Sequence, residues 1–140
     1  MDLQGYREIT VDATVENLIT VNDFVDELLA GTDCPMNAKF KIDLVVEEIF
    51  VNIANYAYGE TGGKAVIQGC IDENPRRLTL RFVDEGVPYD PLKKDPPDLT
   101  LSPEKREIGG LGIFLVKSNV DEVTYQYEKG KNILTIMKKI

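Results

Sequence analysis

A two-layer α/β (α+β) sandwich, with helices covering one face of its sheet, is the fold class that three features of this 140-residue chain predict. Two long helical patterns come first, from Thr14 to Leu29 and from about Ala38 to Tyr58. Two alternating stretches follow, Lys64 to Asp72 and Leu78 to Asp84, separated by a short turn that suits antiparallel pairing. A short helical stretch and a hairpin close the chain.

Taken in order, Arg7 to Ala13 alternates Ile9, Val11 and Ala13 with Glu8, Thr10 and Asp12, the pattern of a half-buried strand. Thr14 is placed to cap the first helix, whose stripe runs Val15, Leu18, Val21, Phe24, Val25, Leu28 and Leu29, and Gly31 to end it in a left-handed turn. A loop with a proline, Asp33 to Asn37, leads to the long helix. Along it Val45, Val46, Ile49, Phe50, Ile53 and Ala57 recur at helical intervals, until Gly59 stops it. Gly62-Gly63 turns the chain into the paired strands, which join at Glu73-Asn74-Pro75-Arg76. Gly110 to Asn119 reads as a helix, and Glu122 to Tyr127 with Ile133 to Lys138 as a hairpin around Glu128 to Lys131. The uncovered, polar sheet face is left to solvent or a partner.

Residues 1–140 suit one domain, large enough for a core without disulfides or metals. With 43% apolar and 29% charged residues the composition is that of a soluble globular protein. A net charge of −8 argues against a nucleic-acid or anionic-membrane partner. No apolar run is long enough to span a bilayer, and MDLQGYREITVD lacks the features of a signal peptide, so a cytoplasmic location is expected. The chain has no histidine, and Cys34 and Cys70 are too far apart to chelate as a pair. Zinc sites and imidazole-based triads are thereby excluded. Chemistry here falls to carboxylates, amides, lysines, hydroxyls or a bound cation.

Three motifs could carry it. Glu48 and Asn52 interrupt the apolar surface of the long helix four residues apart, so they share a face at about 6 Å along the axis. A carboxylate able to take a proton would stand beside an amide able to ligate a hard cation. Taken alone, such a pair more often marks the wet edge of a helix. Asp84-Glu85-Gly86 ends a strand: the carboxylate could accept a hydrogen bond from an amino group such as adenine's, and Gly86 could let a flat ring approach. A plain strand-ending turn has the same composition. Gly109-Gly110-Leu111-Gly112 opens a helix after a proline-rich stretch, so backbone N–H groups and the positive helix end would face anything bound there. It lacks the Walker spacing, because Ile113 and Phe114 follow Gly112.

In this order the motifs resemble those of the GHKL (Bergerat-fold) ATPases, in their small bacterial branch of anti-sigma-factor serine/threonine kinases. EEIFVNIANYAY is similar to the N box, VDEGVPYDP to the first glycine box, and GGLGIFLVKSNVDEV to the second with its helix, and the likeness covers nearly the whole chain. It implies a mixed, mostly antiparallel sheet covered on one face, with an ATP lid at about 87–109. It also implies ATP and Mg2+ as cofactors. Glu48 would be the general base, Asn52 the magnesium ligand, and Asp84 the partner of the adenine amino group. Gly86 would permit close approach, and Gly109, Gly110, Leu111 and Gly112 would shape the hinge and phosphate loop, with Asn55 a further nucleotide contact. Ile108 stands where some members carry a phosphate-reaching arginine, for which Arg106 or Lys105 is the nearby substitute. Lys131-Asn132 follows Gly130 where many relatives have a threonine. Glu47 reads as a solvated charge, and Tyr89 and Pro91 as stiffeners of the lid's start.

The function so implied is phosphorylation of a serine or threonine on an anti-sigma antagonist of the STAS class, with a sigma factor as a second partner and a homodimer as the assembly. Phosphoryl transfer needs positioning, a cation and charge stabilisation, none of which requires histidine. A rival from another class is an ATP- or ADP-binding module that sequesters its partner without transferring phosphate. A third is the detached ATP-binding half of a sensor histidine kinase, which would need a separate histidine-bearing acceptor.

Overall fold

The computed structural model describes residues 5–93 and 110–140. A five-stranded sheet has the order β1-β2-β3-β5-β4, with β1 at Arg7–Asp12, β2 at Lys64–Asp72, β3 at Arg77–Asp84, β4 at Glu122–Glu128 and β5 at Lys131–Lys139. Three helices, α1 (Leu18–Leu29), α2 (Met36–Tyr56) and α3 (Gly110–Asn119), share one core with the strand residues of a single face. The expected sandwich is therefore present, with one correction. Every pairing among the described residues is antiparallel, not mixed. The cause is the terminal hairpin, which inserts its second strand beside β3 so that β5 runs opposite to both neighbours.

Local signals account for most boundaries. Gly31 takes the left-handed φ of +80° just beyond α1. Thr14 makes no side-chain cap bond; the chain enters α1 through a 3-10 turn at Val15–Asn17, where Asn17 Nδ2 donates to the Asp12 carbonyl and to Thr14 Oγ1. The long helix begins slightly earlier than its apolar periodicity suggests: Pro35 stands at the N-cap, and its carbonyl accepts the first helical bond, from Lys39 N at 2.9 Å. The terminal hairpin closes on two residues, Lys129 and Gly130, both at positive φ, the turn that matches the strands' twist.

The core is built on Phe50, Ile42, Val45 and Val46 of α2 against Ile67, Leu78, Leu80 and Phe82 of the sheet, all essentially without solvent exposure. The opposite sheet face departs from the expected polar character. Val66, Val83 and Ile133 form a row of register partners across it, beside the polar row of Gln68, Arg81 and Thr135. Among the described residues no helix is long and apolar enough to cross a membrane.

Phe50 lies where α2 meets the sheet. Phe50→Ala should destabilise the fold by about 3–5 kcal/mol, the range for truncating a buried aromatic side chain. Urea unfolding checks this through a lower midpoint at an unchanged slope.

Candidate functional site

The second half of α2 leaves the core and becomes one wall of a cavity of about 500 Å³. Ile49, Asn52, Ile53, Tyr56 and Ala57 recur there at one helical face. That explains why Ile53 and Ala57 are only half-buried although they continue the core stripe. Phe82 and Asp84 of β3 with Asn132 and Leu134 of β5 form the floor, and Ile113 and Val116 of α3 the facing wall. Val87, Pro88, Tyr89 and Pro91, from the chain after β3, line the remaining side with Tyr125. An apolar cavity with a few converging polar groups is the usual form of a small-molecule site.

Asp84 is among the most buried of these polar groups, only 7% exposed. Its Oδ1 accepts from Gly86 N at 2.9 Å and from Asn132 Nδ2 at 2.9 Å. Asn132 is equally buried and sits opposite Asp84 in register. Its Nδ2 also donates to the Val87 carbonyl at 3.0 Å, while its Oδ1 accepts from Tyr89 N at 3.2 Å and from Tyr125 Oη at 2.5 Å. The floor of the cavity and the chain leaving β3 are thus tied together through one amide.

Gly86 answers a different demand from the one expected. A Cβ there would lie 2.2 Å from the Ala57 carbonyl oxygen, so the close approach it permits is to the end of α2. Val87 N bonds that same carbonyl at 3.0 Å, supplying a donor to one of the acceptors a helix C-terminus leaves open. Tyr58 completes the corner: its Oη donates to the Lys64 carbonyl at 2.5 Å and accepts from Glu85 N at 2.6 Å.

Glu48 and Asn52 both face the start of α3. A Cβ on Gly112 would stand 2.8 Å from Glu48 Oε2 and 3.7 Å from Asn52 Nδ2, so the glycine backbone fits against this pair. The helix motif and the glycine-rich motif, some sixty residues apart, meet here. Asn52 lines the cavity; Glu48, one turn earlier, lies beyond its wall and accepts no hydrogen bond among the described residues. Partial burial raises the pKa of Glu48 above its ordinary 4.5, and the neighbouring Glu47 charge raises it further. Glu47 is exposed, as a solvated charge should be.

The other expected site residues divide. Asn55 is exposed and off the cavity wall, because the stripe that faces the cavity passes it by. Tyr89 and Pro91 line the cavity themselves, which corrects their reading as stiffeners only. Gly110 and Leu111 form the first turn of α3. Arg106 and Gly109, with Lys105, Ile108 and the expected lid from residue 94 onward, lie outside the described residues. Tyr125, Tyr58 and the bonding role of Asn132 were missed. An asparagine inside a strand, where that residue is disfavoured, was the available signal.

Residues 11–138 match the family described as the histidine kinase-like ATPase domain. The chain is similar to the anti-sigma F factor of Clostridium acetobutylicum, at 30% identity over 98% of this chain and 94% of that protein. It is also similar to the serine/threonine-protein kinase BtrW of Bordetella bronchiseptica, at 30% identity over 70% of this chain and 68% of that one. The serine-protein kinase RsbW of Listeria monocytogenes matches at 30% identity over 66% of this chain and 61% of its own length. Among solved structures, the RsbU and RsbW domains of Rv1364c from Mycobacterium tuberculosis superpose with a TM-score of 0.67 at 17% identity. That match covers 96% of this chain and 32% of the other, a likeness of fold.

Two outcomes follow from this geometry. Gly86→Ala forces a Cβ into a backbone carbonyl and should cost about 1–3 kcal/mol, as overpacking does; thermal unfolding measures it. For Glu48 the sign runs as for any carboxylate with a raised native pKa. The folded state holds its proton more tightly, so the contribution of Glu48 to stability is fully present below about pH 4.5 and is lost as pH rises through the native value. Glu48→Gln removes that loss. It should match the native chain in acid and gain relative to it at neutral pH, as urea unfolding across the pH range will reveal.

Proposed function

The chain belongs to the histidine kinase-like ATPase family, in its branch of anti-sigma-factor serine/threonine kinases, and we propose that it phosphorylates a STAS-domain antagonist from ATP. The observation that carries this reading is the meeting of Glu48, Asn52 and Gly112 at the mouth of a cavity floored by Asp84. Purine and phosphate ends of one nucleotide are thereby provided for in a single place. The apolar walls suit a flat base, and Asp84 accepts from its amino group. The first turn of α3 directs backbone N–H groups at the phosphates.

Transfer needs one bond made and one broken. The acceptor hydroxyl oxygen attacks the γ-phosphorus, the bond to the β-phosphate oxygen breaks, and ADP leaves with that electron pair. Glu48 takes the hydroxyl proton. Its raised pKa brings it nearer the working pH, which favours general-base action. Among the described residues no cluster of three or more His, Cys, Asp or Glu could hold a metal. Asn52 is the protein group that would ligate magnesium, whose remaining ligands would come from phosphate and water, as is usual for this ion. Magnesium would neutralise charge on the phosphates during transfer. Gly109 and Arg106 belong to the same phosphate-binding proposal, as parts of a lid over 87–109.

In partner switching, the antagonist would compete with a sigma factor for this protein, in the cytoplasm and as a homodimer. Added phosphate repels the antagonist from so acidic a surface. The names of the anti-sigma F factor and the serine kinases support this assignment.

The test uses the full chain with radiolabelled ATP, magnesium and a STAS-domain protein from the same genome. Label should appear on a serine or threonine of that protein. It should fall by about 10²–10⁴-fold in Glu48→Ala, the usual worth of a general base. Gly112→Ala, which displaces the Glu48 carboxylate, should lower transfer with little loss of stability. Tight nucleotide binding with no transfer by the native chain would instead establish a sequestering module.

A further inference from the structure

Resting on the nucleotide-site reading above, we propose that Asn132 makes the site selective for adenine over guanine by occupying one oxygen of Asp84. A carboxylate at the floor of a purine pocket does not by itself choose a base. It can accept from the 6-amino group of adenine through one oxygen. It can equally accept from the ring N–H and 2-amino group of guanine, which present two adjacent donors and engage both oxygens. What decides is how much accepting capacity the protein leaves free.

Each carboxylate oxygen offers two lone pairs. Both on Asp84 Oδ1 are taken, by Gly86 N and by Asn132 Nδ2, each at 2.9 Å. Among the described residues nothing bonds Oδ2, and the side chain lines the cavity. Oδ2 alone therefore remains: it can accept from adenine's amino group, whereas the parallel pairing of guanine's two adjacent donors with both oxygens is blocked at Oδ1.

Asn132 cannot readily give up this position. Its amide nitrogen is held by Asp84 and the Val87 carbonyl, and its oxygen by Tyr89 N and Tyr125 Oη. A flipped amide would set its oxygen against a carboxylate and a carbonyl, acceptor facing acceptor, within a site only 7% exposed. Tyr89 N, which can only donate, fixes which end of the amide meets Asp84, and Tyr125 acts at one remove, as a positioning residue that holds the amide there.

Affinities of the full chain for ATP and GTP, measured by competition against a fluorescent ATP analogue, test the proposal. The native chain should prefer ATP. Asn132→Ala frees a lone pair on Asp84 and should narrow the ATP:GTP affinity ratio by about tenfold, the effect of one hydrogen bond to a charged group. Tyr125→Phe keeps the ring and should narrow the ratio in the same direction by less; it carries the test if the alanine variant does not fold. A merely structural asparagine would weaken both nucleotides alike. An unchanged ratio in the folded variants, or equal affinity of the native chain for both nucleotides, overturns this inference and leaves the ATP site standing. A native chain that binds neither nucleotide overturns both readings.

Discussion

The close approach of the chain after β3 to the last turn of α2 is the constraint on which the rest of the site depends. Helix carbonyls at a C-terminus lack partners inside the helix, and here Val87 N supplies one to Ala57 across a gap that only a glycine at position 86 allows. Tyr58 braces the same corner by bonding the start of β2 and the residue after β3. With the helix end pinned to the strand end, Asn52 on one layer and Asp84 on the other face a shared apolar space.

The two site carboxylates are treated in opposite ways. Asp84 is buried and receives two N–H donors on one oxygen, so it is fixed in orientation. Glu48 is half-buried, receives no hydrogen bond among the described residues and stands next to another glutamate, so its proton affinity rises. A fixed acceptor suits recognition, and a group whose proton is easily gained suits transfer. The difference follows from packing: Asp84 meets donors from the chain after β3 and from β5, whereas Glu48 meets a glycine backbone.

Much of this was legible in the residues. Strand alternation and the apolar stripes of α1 and α2 fixed the layers, and the spacing of Glu48 and Asn52 put them on one side of a helix. What could not be read was anything set by tertiary phase or register. Asn55 belongs to the same motif as Asn52, yet the face of α2 that borders the cavity is decided by how the helix lies on the sheet, and Asn55 falls outside it. Asn132 reaches Asp84 from 48 positions away only because β5 inserts beside β3, a pairing that no local pattern announces. Gly86 was readable as a place of close approach, but not as one made to a carbonyl of its own chain.

The two-residue turn at Lys129-Gly130 shares in that arrangement from a distance. It is the ruler that sets which residue of β4 arrives beside Asn132, since side chains along a strand alternate and a slip of one would carry Tyr125 to the other sheet face. An outwardly ordinary hairpin tip, the sort of spot chosen for splicing in an epitope tag, is therefore mechanically geared to the floor of the cavity, and lengthening it would be read out there.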